Sequence, residues 1–153
     1  MNKIALFPGS FDPITKGHHE IILKGLNLFD KIVIGVGQNS GKKNLFTIEE
    51  RVEILQKLFK DEPKIEVMTY EGLTVHFCQK IGANFILRGL RSGQDFEYEQ
   101  SIAFANKEMV SEIDTIFMLS SPSYTNISST IVRDIIANKG DYSKFIPDGV
   151  KLK

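Results

Sequence analysis

Four stretches of this 153-residue chain carry side chains that can grip phosphate. The first is Pro8-Gly-Ser-Phe-Asp-Pro-Ile-Thr-Lys-Gly-His18, in which Gly9 lets backbone approach a ligand, Ser10 offers a hydroxyl, and His18 stands at a predicted helix start. Orphan N–H groups and the helix dipole favour an anion there. Neither Gly-x-x-x-x-Gly-Lys-Ser/Thr nor Gly-x-Gly-x-x-Gly is present, and an ordinary Gly/Pro turn accounts for the stretch equally well. The second is Lys42-Lys43 on a Gly-containing loop, which supplies point charges for a phosphate, although a solvated surface pair is the commoner meaning of two lysines. In the third, Arg88-Gly-Leu-Arg91 precedes Asp95-Phe-Glu-Tyr-Glu99. The two guanidinium forks can close on phosphate oxygens or on those carboxylates, and both readings hold together if Glu99 orients an arginine. The fourth is Ser120-Ser-Pro-Ser-Tyr-Thr-Asn-Ile-Ser-Ser-Thr-Ile-Val-Arg133. Ser128 or Ser129 is a natural N-cap, and a hydroxyl-rich helix N-terminus is also an anion site, toward which Arg133 can fold back from one turn along.

The elements that must position these stretches follow from apolar periodicity. Short apolar runs at residues 3–7, 31–37, 65–69, 84–88 and 115–119 read as buried strands. Helical period separates them: Ile22, Leu26 and Phe29 share one face, as do Ile48, Val52, Leu55 and Phe59. Thr47-Ile-Glu-Glu50 opens the second helix as a capping box. Further helices are predicted over 74–81, ended by Gly82 as a left-handed cap, then 95–111 and 129–138. Alternating strands and helices give an α/β fold, a Rossmann-like doubly wound sheet of about five parallel strands with helices on both faces. Ligands of such sheets bind outside the carboxyl ends of the strands, which is where all four stretches fall. No repeat or linker divides the chain, so residues 1–153 are expected to form one domain.

Composition removes several classes. Lys+Arg 19 balances Asp+Glu 19, and this neutrality disfavours a nucleic-acid-coating or membrane-surface protein. Cys78 is the one cysteine, so an intrachain disulfide and a cysteine-based zinc site are excluded, and a small buried hydrophobe is its expected role. His19 and His76 lack a partner at metal-ligand spacing, and no protein metal site is expected. The apolar run before Pro8 is too short for a signal peptide, and nothing approaches the ~20 apolar residues of a membrane span. A cytoplasmic protein is the expectation. Phe46, Phe77, Phe85, Phe104 and Phe117 are expected in the core rather than on a base-stacking platform.

The order of these motifs resembles a known family. Thr15-Lys-Gly-His18 is similar to the Thr/His-x-Gly-His signature of the nucleotidylyltransferase superfamily, and Ile127-Ser-Ser-Thr-x-x-Arg133 to its C-terminal partner motif. Together with Pro-Gly-Ser-Phe-Asp-Pro, Lys42-Lys43, Phe-Thr-Ile-Glu-Glu-Arg51, Arg-Gly-Leu-Arg91 and Asp-Phe-Glu-Tyr-Glu99, they resemble the bacterial phosphopantetheine adenylyltransferases from Lys3 to about Pro147. The resemblance implies adenylyl transfer from ATP to 4′-phosphopantetheine with Mg²⁺, by direct in-line displacement, in a homohexamer. It implies catalytic roles for His18, Lys42 and Arg91. Ser10, Lys42, Thr74, Arg88 and Asn106 would bind the acceptor. Ser10, Phe11, His18, Gly89, Leu90, Arg91, Glu99, Tyr124, Thr125, Asn126, Ile127, Ser128, Ser129 and Thr130 would contact ATP. The chain departs from the family pattern at Thr74, usually Leu or Met, at Ser92-Gly93, and in a tail that stops soon after Pro147. A relative acting on nicotinate mononucleotide or a small alcohol phosphate, and a non-catalytic nucleotide-binding module, are the alternatives.

Overall fold

Strands β1 (Ile4–Gly9) and β2 (Lys31–Gly37) form the middle of the sheet because their residues are apolar on both faces, as a parallel strand covered by helices on each side requires. The computed structural model describes residues 2–39 and 41–152. The remaining elements are α1 (Lys16–Gly25), α2 (Ile48–Leu58), β3 (Ile65–Tyr70), α3 (Thr74–Ile81), β4 (Phe85–Leu90), α4 (Gly93–Met109), β5 (Asp114–Leu119) and α5 (Ser129–Ala137). A short 3-10 turn at Pro122–Tyr124, not foreseen from the sequence, lies between β5 and α5.

All strand pairs are parallel and the order is β3-β2-β1-β4-β5. The chain winds outward from β1 through β2 to β3, then crosses back to β4 on the other side of β1. The switch point therefore lies between the carboxyl ends of β1 and β4, where doubly wound sheets bind ligands. Period-2 alternation divides the core: Ala5 and Phe7 pack with Ile21, Ile22, Leu55 and Leu87 on one face, while Leu6 joins Val75, Phe77, Cys78 and Ile86 on the other.

Most boundaries agree with the expectation to within two residues, and the differences bear on the site. Both β1 and β4 run two residues further than predicted. The ladder continues through Arg88↔Phe117, Gly89↔Met118 and Leu90↔Leu119, so Arg88 sits in rigid sheet rather than at its frayed end. Helix α1 stops at Gly25, short of the predicted apolar stripe, yet Phe29 is still buried because its N–H donates to Gly25 O in the turn that follows. The Thr47–Glu50 capping box and the left-handed Gly82 cap, φ 73°, are both present. Phe104 is a correction: it stands 63% exposed on α4, whose apolar residues are spread around the helix rather than gathered on one face.

Candidate functional site

His18 is fixed by local chain geometry. Thr15 caps α1 by accepting from His18 N–H at 3.3 Å, while the Thr15 N–H donates to His18 Nδ1 at 3.1 Å, a capping box with histidine in the third position. A backbone donor at Nδ1 requires an acceptor there, which places the ring proton on Nε2. The rings of Phe7 and Phe11 meet the imidazole at 6.3 and 5.2 Å between centroids. Phe11 reaches that position through a left-handed backbone, φ 49°. Burial, with Arg88 and Arg91 adding to it, lowers the His18 pKa to about 4. The ring is thus a neutral N–H donor at pH 7.

The lowered His18 pKa makes stability depend on pH. Between its ordinary value of 6.5 and about 4, the unfolded chain binds a proton at His18 that the folded chain does not, so stability falls as pH is lowered through that window. Thermal unfolding across pH 7 to 4 is expected to show this slope in the ligand-free wild type, and a shallower one in a variant lacking the imidazole.

Two clefts open at the switch point. The larger, about 720 Å³, runs from Ser10, Lys42 and Arg88 outward past Tyr70, Thr74, Ile102 and Asn106. The smaller, about 380 Å³, lies over α1 and reaches the N-terminus of α5. Its wall carries Phe11, His18, Gly89, Arg91, Ile127, Ser128, Ser129, Thr130 and Arg133. Ser10, Lys42, Arg88 and Glu99 line both. A cationic wall common to two cavities can hold two anionic groups against each other while screening their repulsion.

The cations on that wall are oriented by the protein. Lys42 Nζ donates to Ser10 Oγ at 2.9 Å. Arg88 places Nε and Nη2 on the two Glu99 oxygens at 3.0 and 2.5 Å, and Nη1 on Pro8 O at 2.8 Å, which leaves one N–H of each terminal nitrogen for a ligand. Arg91 donates through N and Nε to Asp95 Oδ2, both at 3.1 Å. The phosphate and salt-bridge readings of Arg88-Gly-Leu-Arg91 are therefore not alternatives, since the carboxylates aim the arginines into the clefts. Gly89 passes so close to α1 that a Cβ there would meet Ile21 Cγ1 at 2.8 Å, so the Arg88–Arg91 segment lies flush against the helix that carries His18.

Not every residue implied by the resemblance lines a cleft. Leu90 is buried, and its carbonyl accepts from Ser120 N–H at 2.9 Å. Tyr124, Thr125 and Asn126 lie outside both linings, in and just after the 3-10 turn, where Thr125 Oγ1 donates to Pro122 O at 3.0 Å. Thr74 lines the larger cleft with its hydroxyl 3.1 Å from the Tyr70 hydroxyl. Arg133 is partly committed to structure, donating to Asp12 O at 3.0 Å and to Thr130 Oγ1 at 3.1 Å.

Two buried charged residues that brace the site were not singled out from the sequence. The Asp12 carboxylate, fully buried, accepts from Leu45 N–H and Phe46 N–H at 2.9 Å each and so ties the Lys42 loop to the loop after β1. Arg51 donates to Ser10 O at 2.8 Å and to the carbonyls of Phe46 and Thr47. Asp12 reads as an ordinary turn residue in Phe-Asp-Pro. Arg51 did carry a signal: it falls on the apolar face of α2, three residues after Ile48 and four before Leu55, where a charge needs a partner. Asp12→Ala leaves buried N–H groups without acceptors at ~1–3 kcal/mol each. A drop in thermal midpoint on that scale is the expected result, while Asp12→Asn, which retains one acceptor, falls less.

Among the described residues there is no group of three or more His, Cys, Asp or Glu able to hold a metal ion, and no helix is long and apolar enough to cross a membrane. Residues 6–135 match the cytidylyltransferase-like family model. Phosphopantetheine adenylyltransferase of Flavobacterium psychrophilum is 52% identical over 149 residues, covering 97% of this chain and 98% of that protein. The protein of the same name from Christiangramia forsetii is 52% identical over 151 residues, 99% of each chain, and that from Lachnoclostridium phytofermentans is 48% identical over 148 residues, 97% of this chain and 91% of its own. Among solved structures, a bifunctional NMN adenylyltransferase/ADP ribose pyrophosphatase from Francisella tularensis, complexed with AMP and manganese ion, superposes with TM-score 0.70 at 19% identity. That match covers 95% of this chain and 44% of the other, and at such identity it speaks for the fold alone. With matching relatives over almost their whole length, an α/β sheet of five parallel strands and both signature motifs on its ligand-binding edge, the chain is a nucleotidyltransferase of the phosphopantetheine adenylyltransferase family.

Proposed function

We propose that this chain transfers the adenylyl group of ATP to the phosphate of 4′-phosphopantetheine, giving dephospho-coenzyme A and pyrophosphate. The observation that carries the reading is the shared wall of Ser10, Lys42 and Arg88 between the two clefts. ATP takes the smaller cleft, with its phosphates toward Arg91 and the N-terminus of α5, where Ser128 already caps Ile131 N–H at 3.2 Å. The acceptor lies in the larger cleft with its phosphate on Lys42 and the free N–H groups of Arg88. Its arm runs past Thr74 and Asn106.

The acceptor phosphate is largely ionised near neutral pH, so no general base is needed. One of its oxygens attacks the α-phosphorus in line, the bond from that phosphorus to the α–β bridging oxygen breaks, and the electron pair leaves with pyrophosphate. Two polyanions must meet for this to happen. Lys42, Arg88 and Arg91 offset their repulsion, and the neutral His18 Nε2–H donates to a non-bridging α-phosphate oxygen as charge builds there. Asp95 and Glu99, the carboxylates on the smaller cleft, are held by arginines. With those carboxylates committed, a Mg²⁺ ion would keep phosphate and water ligands in place of a protein cage, and it would supply further charge neutralisation.

Residues 1–153 act as one catalytic domain in this reading, in the cytoplasm, where ATP is plentiful and the Cys78 thiol stays reduced. The exposed Tyr98 and Phe104, on different sides of α4, support self-association toward a homohexamer, since a monomer seldom leaves large aromatic side chains on more than one side of a helix in water. Light scattering tests that part separately. For the reaction, pyrophosphate release is measured with ATP, Mg²⁺ and a panel of acceptors. Release with 4′-phosphopantetheine is expected, and release only with nicotinate mononucleotide or a small alcohol phosphate overturns the reading.

A further inference from the structure

Two residues beyond His18, α1 carries a carboxylate for which the mechanism above has no use. Glu20 is 14% exposed at its side chain and reaches the turn that follows β5. Its Oε1 accepts from Ser121 N–H at 2.8 Å, and its Oε2 accepts from the Ser121 hydroxyl. Lys24, one helical turn further on, places Nζ 3.8 Å from Glu20 Oε2 and donates to Leu119 O at 3.2 Å. From the opposite side, the Ser120 N–H is held by Leu90 O. Burial raises the Glu20 pKa, but the Ser121 bonds and Lys24 outweigh it and leave the carboxyl below its ordinary value, hence charged at neutral pH.

The placement gives this clamp a functional meaning. Ser120 lines the smaller cleft, and the chain passes from Ser121 through the 3-10 turn to Ser128, the N-cap of α5. A carboxylate on α1 therefore fixes where the nucleotide-side segment leaves the sheet, relative to the helix that holds His18. A hydrogen bond to a charged acceptor is among the stronger ones available, and both oxygens are spent on a single residue.

We propose that Glu20 is a positioning residue for the nucleotide subsite, acting through Ser121 and not through contact with substrate. The proposal rests on the reading that the smaller cleft takes ATP. Glu20→Ala is expected to raise the KM for ATP about tenfold, the size of one lost charge-assisted hydrogen bond, and to leave the KM for 4′-phosphopantetheine within about twofold. Glu20→Gln, which keeps an acceptor for the Ser121 N–H, restores most of the ATP KM. Hydrogen exchange over residues 119–130 rises in the alanine variant. An unchanged ATP KM, or equal rises for both substrates, overturns the proposal. Should Glu20→Ala not fold, Ser121→Ala removes the hydroxyl arm alone and is expected to move the ATP KM in the same selective direction; no change in it overturns the proposal equally. If the wild type releases no pyrophosphate, it is the reaction assignment that fails. ATP affinity by calorimetry in wild type and Glu20→Ala then decides the role of Glu20, with equal affinities overturning it.

Discussion

Replacing His18 by alanine is expected to lower kcat by ~10²–10³ with little change in the KM for ATP, the pattern of a donor whose bond strengthens as charge develops in the transition state. The structure separates two consequences of that substitution. One is the loss of the Nε2–H donor that the Thr15 contact to Nδ1 enforces. The other is loss of half of the capping box of α1, worth ~1 kcal/mol of stability. Glutamine suits the third position of a capping box. His18→Gln should therefore regain stability while its turnover stays well below wild type. If turnover returned in step with stability, the imidazole would be a cap and nothing more.

The second large effect is expected at Arg88. Arg88→Ala removes a charge from the wall common to both clefts and leaves Glu99, 11% exposed at its side chain, without its partner. Loss of a charge-assisted bond to phosphate raises the acceptor KM ~10–100-fold, more than that of ATP. Steady-state kinetics with each substrate varied in turn checks this. A larger rise for ATP would mean that the acceptor and nucleotide subsites are exchanged, and an equal rise that Arg88 serves both substrates alike. Adding Glu99→Gln to Arg88→Ala removes the orphaned carboxylate and should recover stability but not acceptor binding, because the phosphate has still lost its fork. This separates the cost of an unpaired buried charge from the loss of a ligand contact.

What the sequence disclosed and what it withheld follow the range of the forces involved. Strand positions, the parallel arrangement, the Thr47 capping box and the Gly82 cap are set by neighbours a few residues away, so periodicity and cap chemistry reveal them. The four phosphate-capable stretches were legible as types and spacing, and the sheet brings them to one edge. Contacts between distant segments were not legible. Asp12 meets Leu45 and Phe46, Arg51 meets Ser10, and Glu20 meets Ser121 across 101 positions; the apolar face of α2 marks Arg51 as buried, but nothing local marks which carbonyl or amide each of these residues will meet. The misplaced Phe104 has the same origin in reverse: aromatic composition suggests core, whereas α4 touches the sheet along only part of its surface. The neutral charge total concealed a local arrangement as well, since Lys42, Arg88 and Arg91 gather on one edge, where Asp95 and Glu99 aim the two arginines, while other carboxylates such as Glu49 and Glu53 lie on α2.

The bond expected to form on that edge joins an oxygen of the acceptor phosphate to the α-phosphorus of ATP. Mass spectrometry of the products formed from ATP, Mg²⁺ and 4′-phosphopantetheine tests it most directly. Dephospho-coenzyme A and pyrophosphate in equal amounts, with oxygen-18 from a labelled acceptor phosphate retained in the nucleotide product, is the predicted result. AMP or ADP formation without an adenylylated acceptor would contradict it.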